Sequence, residues 1–193
     1  MGLERIELWR ETECLQEARF APNFTAIVRT ERLAGVMRSC LQAGATIAVA
    51  RRDETVCGYA TVVPSSTHVF ERWRDLRDVH ELGALEVVRT ARCQGLATGL
   101  LEQLARSLPW EDMIVFARGF VSHWDLPGTG MAAVRYRRML VALLGRIGLT
   151  HEITDDPEVL DDPLNFLSVR YGRSVDSRSM SAFQRCLRSG AAS

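Results

Sequence analysis

The 193-residue chain contains no lysine, and all 24 of its basic side chains are arginine, balanced by 24 acids. Zero net charge leaves no long-range field to draw the protein onto phosphate backbones or anionic lipid, so neither a nucleic-acid nor a membrane-surface role is expected. No apolar run approaches the roughly 20 residues a membrane span requires. The opening MGLERIELWRETE alternates charge with apolar residues and does not read as a targeting segment. There is no CxxC either. Cys14, Cys40, Cys57, Cys93 and Cys186 form an odd set with no histidine at zinc-ligand spacing, which predicts reduced thiols, a cytoplasmic setting and no metal site. The absence of lysine has two readings: a GC-rich genome that favours arginine codons, or a surface that lysine-directed chemistry cannot modify.

What is present describes a single globular domain. Hydrophobic residues make up 47% of the chain and aromatics 7%, and a chain of this length buries roughly 70% of its unfolded surface without needing a staple. Residues 29–43 place Leu33, Val36, Met37, Cys40 and Leu41 at helical spacing, with Gly44 as a stop. Thr46–Ala50 and Val56–Val63 read as a β-hairpin closed by Pro64. His68–Val79 carries dense mixed charge and reads as a loop or short helix. Leu82–Val88 is a strand, Gly95–Leu108 a helix, Met113–Val121 a strand, Met131–Ile147 a helix and Phe166–Tyr171 a last strand, followed by an arginine-rich helix or tail ending in Gly190–Ser193. The six acids of residues 152–162 read as a solvated loop. No internal repeat is visible.

The informative segment is Leu85-Glu86-Val87 followed by Arg92-Cys93-Gln94-Gly95-Leu96-Ala97-Thr98. A strand runs into a loop with small residues at 95, 97 and 99 and then into a helix start. There the first backbone N–H groups lack intrahelical partners and the macrodipole is positive, so the turn is suited to an anion. It has neither the Gly-Lys-Ser/Thr of a P-loop nor GxGxxG.

Arg92 to Ala97 resembles the acetyl-CoA pyrophosphate loop of the GNAT N-acetyltransferases. The resemblance narrows to the acetoin-utilisation (AcuA-type) branch on His80 to Val87, Ser122-His123-Trp124-Asp125-Leu126, Tyr136 to Met139, Asp156-Pro157-Glu158 and Asn165 to Gly172, and it spans about residues 46–188. It implies an α/β (α+β) GNAT fold, a mixed and mostly antiparallel sheet flanked by helices. It further implies that Leu85, Glu86 and Val87 offer backbone groups to the pantetheine arm and that the amides of residues 92–98 take the diphosphate. Members of that branch acetylate a lysine of AMP-forming acetyl-CoA synthetase and switch it off. The implied protein is therefore a bacterial, cytoplasmic enzyme with acetyl-CoA as co-substrate and the synthetase as partner. Two rivals are a GNAT enzyme for a small amine and a non-catalytic acetyl-CoA sensor.

Transfer to lysine needs the neutral amine, which is about one part in a thousand of a free lysine at pH 7.4, roughly 4 kcal/mol uphill. A base must take the proton. Glu81 lies eleven residues before Arg92, the spacing of the glutamate base in some lysine-acetylating GNAT enzymes, and is the first candidate. Glu86, on the opposite strand face by alternation, is the second. Against these roles, Glu81 reads equally as a solvated strand end and Glu86 as an arginine partner. Where many GNAT enzymes carry a tyrosine acid, four residues before a Gly-aromatic pair, this chain has Leu144 before Gly148. Tyr136 and His123 are the alternatives, as is thiolate release to solvent. His123-Trp124-Asp125 is expected to be structural, with Trp124 packing and the other two holding the loop. Cys93 is expected to be filler.

Overall fold

Period-two and helical patterns emerge as strands and helices largely where the residues place them. The structure, a computed structural model, describes residues 4–65, 73 and 76–188. Its strands are β1 (Glu4–Trp9), β2 (Arg19–Phe20), β3 (Thr46–Arg52), β4 (Thr55–Pro64), β5 (Val79–Val87), β6 (Ile114–Gly119), β7 (Thr150–Glu152) and β8 (Phe166–Tyr171). Its helices are α1 (Thr30–Gln42), α2 (Leu96–Ser107), α3 (Leu126–Thr129), α4 (Ala133–Gly145), α5 (Pro157–Leu160) and α6 (Ser177–Cys186). The chain divides into two compact units, Met1–Val63 with Leu82–Leu108, and Pro64–Glu81 with Pro109–Ser193, so that β5 contributes residues to both.

In the first unit β1, β3 and β4 pair antiparallel, and β2 lies parallel to β4. The hairpin turn places Asp53 at φ 52°, and the β3/β4 register shifts by a bulge between Ala50 and Arg51. The run Thr46–Ala50 is buried along its whole length because β3 packs against both α1 and α2. Such two-sided burial is why it reads as continuous apolar sequence rather than as alternation. On α1, Leu33, Met37 and Leu41 face inward at i, i+4 and i+8, whereas Val36 is exposed and falls outside the expected apolar stripe. Gly44, at φ 83°, ends that helix: its N–H bonds Leu41 O and that of Ala45 bonds Cys40 O, the paired bonds that satisfy the last orphan carbonyls. Leu96, Leu100, Leu101 and Leu104 are the buried side of α2, each contributing about 1.5–3 kcal/mol by burial.

In the second unit the first residues of β5 pair parallel with β6, as Val79–Ile114, His80–Val115 and Glu81–Phe116, and β8 pairs antiparallel with both β6 and β7. Trp73, Val79, Ile114, Phe116, Leu167, Val169, Val175, Phe183 and Leu187 form one core. In it Trp73 stacks on Phe183 at 5.9 Å and lies 4.5 Å from Phe116 between ring centres. Three aspartates cap helices by accepting first-turn N–H groups: Asp125 on α3, Asp156 on α5 and Asp176 on α6.

The strands are thus mixed and mostly antiparallel, with helices packed on them, as expected. Several boundaries differ from the sequence reading. The opening alternation is strand β1, and β7 is a further strand. The strand expected over Met113–Val121 ends at Gly119, and Val121–His123 forms a 3-10 turn. Residues 152–162 are not simply a solvated loop: Asp156 is buried, and α5 lies within the run. Most of His68–Val79, and the tail Gly190–Ser193, lie outside the described residues. Among the described residues none of the cysteines is disulfide-bonded, and no helix is long and apolar enough to cross a membrane.

Candidate functional site

The anion-suited turn sits in the first unit. Leu85, Glu86 and Val87 end β5, Val88 donates its N–H to Cys57 O at 2.9 Å, and Arg89–Ala91 makes one 3-10 turn. The Arg92 side chain folds back, its Nε donating to Val87 O at 2.9 Å, and so ties the turn to the strand that feeds it. Cys93 and Gly95 both take left-handed backbone, at φ 62° and 79°, and with Gln94 between them are exposed. Gln94 Oε1 accepts from Arg52 at 2.5 Å. Gly95 is the N-cap of α2, and Gly99 is the first residue to donate back, to Gly95 O at 2.9 Å. Leu96, Ala97 and Thr98 therefore stand in the positions whose N–H groups have no carbonyl one turn behind them. A Cβ built on Gly95 meets nothing within 4 Å, so the backbone face of the turn is open to an approaching group. The small residue at 99 has a different purpose: a Cβ there would come within 2.6 Å of Ile6 Cδ1, so it allows α2 to lie close on β1.

Glu86 is buried in the same unit, and its partner is not an arginine. Its Oε1 accepts the N–H groups of Thr25 and Ala26, each at 2.9 Å, and its Oε2 accepts the Tyr59 hydroxyl at 3.3 Å. Burial, and then the neighbouring Glu86, push the Tyr59 phenol well above its ordinary range. Tyr59 in turn packs edge-on against Phe24, 5.4 Å between ring centres. The carboxylate thus fastens the segment before α1 to β5.

Glu81 belongs to the second unit and is only 5% exposed, so it is no solvated strand end. Arg118, on β6 and also buried, donates from Nε to Glu81 Oε1 at 3.1 Å. The same guanidinium reaches Glu158 Oε2 at 2.9 Å and lies 4.0 Å from Asp156 Oδ2. Arg118 was not singled out by the sequence reading. The signal that could have found it is a single charge inside the apolar run Met113–Val121. Neighbouring His80 is half-buried, and burial lowers its affinity for a proton.

Of the remaining expected residues, Trp124 is buried and stacks on Tyr136 at 5.4 Å between ring centres and 17° between planes. Asp125 caps α3 by accepting Gly128 N–H at 3.0 Å. His123 differs from expectation: it is exposed and meets the Phe120 ring edge-on rather than bracing the loop through its side chain. Leu144 is buried in packing. Among the described residues no group of three or more His, Cys, Asp or Glu side chains gathers as a metal site would.

No family model matches the chain. Over 141 residues it is 33% identical to acetoin utilization protein AcuA of Bacillus licheniformis and 32% identical to that of Bacillus subtilis; each alignment covers 72% of this chain and 66% of the relative. The match thus spans just under two thirds of those relatives' length. A crystal structure of an acetoin utilization protein from Exiguobacterium sibiricum superposes with a TM-score of 0.88 over 98% of this chain and 97% of that one, at 23% identity. YncA from Salmonella typhimurium, solved with its cofactor acetyl-CoA, superposes at 0.53 over 87% of this chain and 92% of that one, at 14% identity. Superposition on solved acetyltransferases of the GNAT family gives the chain the GNAT fold. Within that class the chain belongs to the acetoin-utilisation, AcuA-type family.

Proposed function

We propose that this chain is an N-acetyltransferase that moves the acetyl group of acetyl-CoA directly to a lysine of AMP-forming acetyl-CoA synthetase and so switches that enzyme off. The observation that supports it most is the turn from Val87 to Thr98. Left-handed backbone at Cys93 and at the N-cap Gly95 leads into a helix start whose first three N–H groups have no intrahelical acceptor, and a Cβ on Gly95 would meet nothing within 4 Å, in a chain of the AcuA-type family. In this reading the amides of Arg92, Cys93, Gln94, Gly95, Leu96, Ala97 and Thr98 receive a diphosphate, which a helix start favours electrostatically. Leu85, Glu86 and Val87 offer backbone groups to the pantetheine arm. Acetyl-CoA, when bound, supplies an acyl group activated as a thioester.

The base in this reading is Glu81. The lysine amine must lose a proton as its nitrogen attacks, and a nearby carboxylate removes the roughly 4 kcal/mol cost of finding it neutral in water. The ammonium proton passes to Glu81 and from there to solvent; the neutral amine attacks, one C–N bond forms and one C–S bond breaks, and the second amine proton, lost as the amide forms, leaves through solvent, which protonates the departing thiolate. Leu144 supplies no acid, so the last proton is assigned to solvent. The test is mass spectrometry of the synthetase after incubation with this protein and acetyl-CoA, with Glu81→Gln in parallel. A single acetylated lysine is expected, formed about 10²- to 10⁴-fold more slowly by the variant. An unmodified synthetase, with acetylation of free polyamines instead, refutes the acceptor. Equal rates for the two proteins refute the base alone.

A further inference from the structure

Arg118 carries its charge into the second unit with only 3% of its side chain exposed, and three carboxylates meet it there: Glu81, Glu158 and Asp156. Its guanidinium also lies over the Phe120 ring, 5.3 Å from the centre. Desolvating an arginine and a glutamate costs several kcal/mol per ion, and an apolar pair of similar volume is often as stable or more so. The arrangement is therefore poorly explained by stability, and its geometry is specific. Arginine presents a rigid planar fork, and here two of its edges are used at once, Nε toward Glu81 and Nη1 toward Glu158. The far side of the fork is itself anchored. Asp156 accepts Glu158 N–H at 2.9 Å and donates its own N–H to Thr154 Oγ1 at 3.1 Å, while Thr154 Oγ1 bonds Leu187 O at 3.0 Å. A line of directional contacts thus runs from the α6 end through α5 and the guanidinium to one oxygen of Glu81. Register places both ends on one sheet face: Glu81 pairs with Phe116, and Arg118 is two residues further along β6.

We propose that Arg118 is a positioning residue for acetyl transfer, holding the Glu81 carboxylate in one orientation against a guanidinium fixed by Glu158 and Asp156. The inference rests on the reading of Glu81 as the base. A base misplaced by about 1 Å costs on the order of 100-fold in rate, and lysine at position 118 would keep the charge but lose the fork.

The test is a double-mutant cycle of wild type, Arg118→Lys, Glu81→Gln and the pair, assayed for steady-state acetylation of the synthetase. Arg118→Lys is expected to lower kcat about 10- to 100-fold and leave KM for acetyl-CoA within about twofold. In the Glu81→Gln background the same change is expected to have less than about a twofold effect, because Arg118 acts through the group already removed. An equal loss in both backgrounds, or no loss in either, overturns the inference while leaving the base reading intact. Full activity of Glu81→Gln, or no transfer by wild type, removes the underlying reading and the inference with it. Should Arg118→Lys fail to fold, Glu158→Gln keeps the contact to Glu81 and frees the outer edge of the fork. A fall in kcat of about three- to tenfold that vanishes in the Glu81→Gln background supports the proposal, and an unchanged kcat overturns it.

Discussion

Removing the Glu86 side chain should detach the segment before α1 and cost more stability than removing its charge. Three donors converge on that buried carboxylate: Thr25 N–H and Ala26 N–H at 2.9 Å and the Tyr59 hydroxyl at 3.3 Å. Glu86→Ala leaves all three without their acceptor, at about 1–3 kcal/mol for each donor left dry. Water reaching the two part-buried amides and the long Tyr59 contact put the total toward the low end, about 3–5 kcal/mol. Glu86→Gln keeps an amide oxygen for the two N–H groups and forfeits mainly the charge assistance, about 1–2 kcal/mol. With a urea slope of about 2 kcal/mol/M, the midpoint should fall by about 2 M for alanine and by about 0.5–1 M for glutamine. Amide exchange supplies the local readout: Thr25 and Ala26 should lose protection in the alanine variant and keep most of it in the glutamine variant. Equal midpoints for the two variants, or unchanged exchange at Thr25 and Ala26 in Glu86→Ala, would refute the fastening role. Loss of acetyl transfer in Glu86→Gln at near-wild-type stability would instead assign Glu86 to the chemistry.

Further predictions concern pH and close packing. The Tyr59 phenol is raised by burial first and by Glu86 second, so its neutral form belongs to the fold. Its stabilisation is present below the unfolded value near 10 and is lost as pH climbs above it, by up to about 1.4 kcal/mol per pH unit for the one proton. Urea midpoints at pH 9, 10 and 11 should therefore fall less steeply in Tyr59→Phe, with Tyr171, pushed up to about 12 chiefly by burial, keeping part of the slope in both proteins. His80 is depressed by burial, so its contribution is present above about pH 6.5 and lost as pH falls below it, where the unfolded chain binds the proton more readily. His80→Gln should flatten midpoints measured from pH 7 to 5, and an unaltered acid limb would count against a neutral, packed imidazole. A Cβ on Gly172 would collide with the Glu111 carbonyl and approach Met113 O at 2.8 Å, both rigid backbone, whereas one on Gly145, at the end of α4, meets nothing within 4 Å. Thermal unfolding should thus show Gly172→Ala destabilised by about 2–3 kcal/mol or more and Gly145→Ala unchanged or raised by about 0.5–1 kcal/mol.

How much of this was legible in the sequence depends on where the information lies. Helices α1, α2 and α4 and strands β3, β4, β5 and β8 have apolar periods set by their own burial, and they were visible within a residue or three. Strand β1 was not, because neither of its faces is cleanly apolar: Glu7 accepts from Trp9 and Arg51 between the alternating Ile6 and Leu8. Strand β7 has only three residues, none buried, and carries no pattern to read. The turn at Gly95 was legible because glycine reports a left-handed backbone, while Cys93 at φ 62° gives no such sign. In the acidic run, Asp156 has the same side chain as the exposed Asp161 but is only 6% exposed and caps α5, and composition cannot separate the two roles.

Glu81 and Arg118 mark a different limit. Arg118 is the lone charge of β6, while Glu81 shares β5 with Glu86, and a buried charge needs either an opposite charge or, as at Glu86, several converging hydrogen-bond donors. The sequence therefore holds two unmatched halves, 37 residues apart. What joins them is the pairing of Glu81 with Phe116. A one-residue slip of β5 on β6 would turn Arg118 to the far face and strand both charges. The same ion pair thus disfavours the registers one residue to either side. The coupling between Glu81 and Arg118 consequently tests the strand alignment as well as the chemistry, since an alignment off by one residue leaves nothing for the double-mutant cycle to detect.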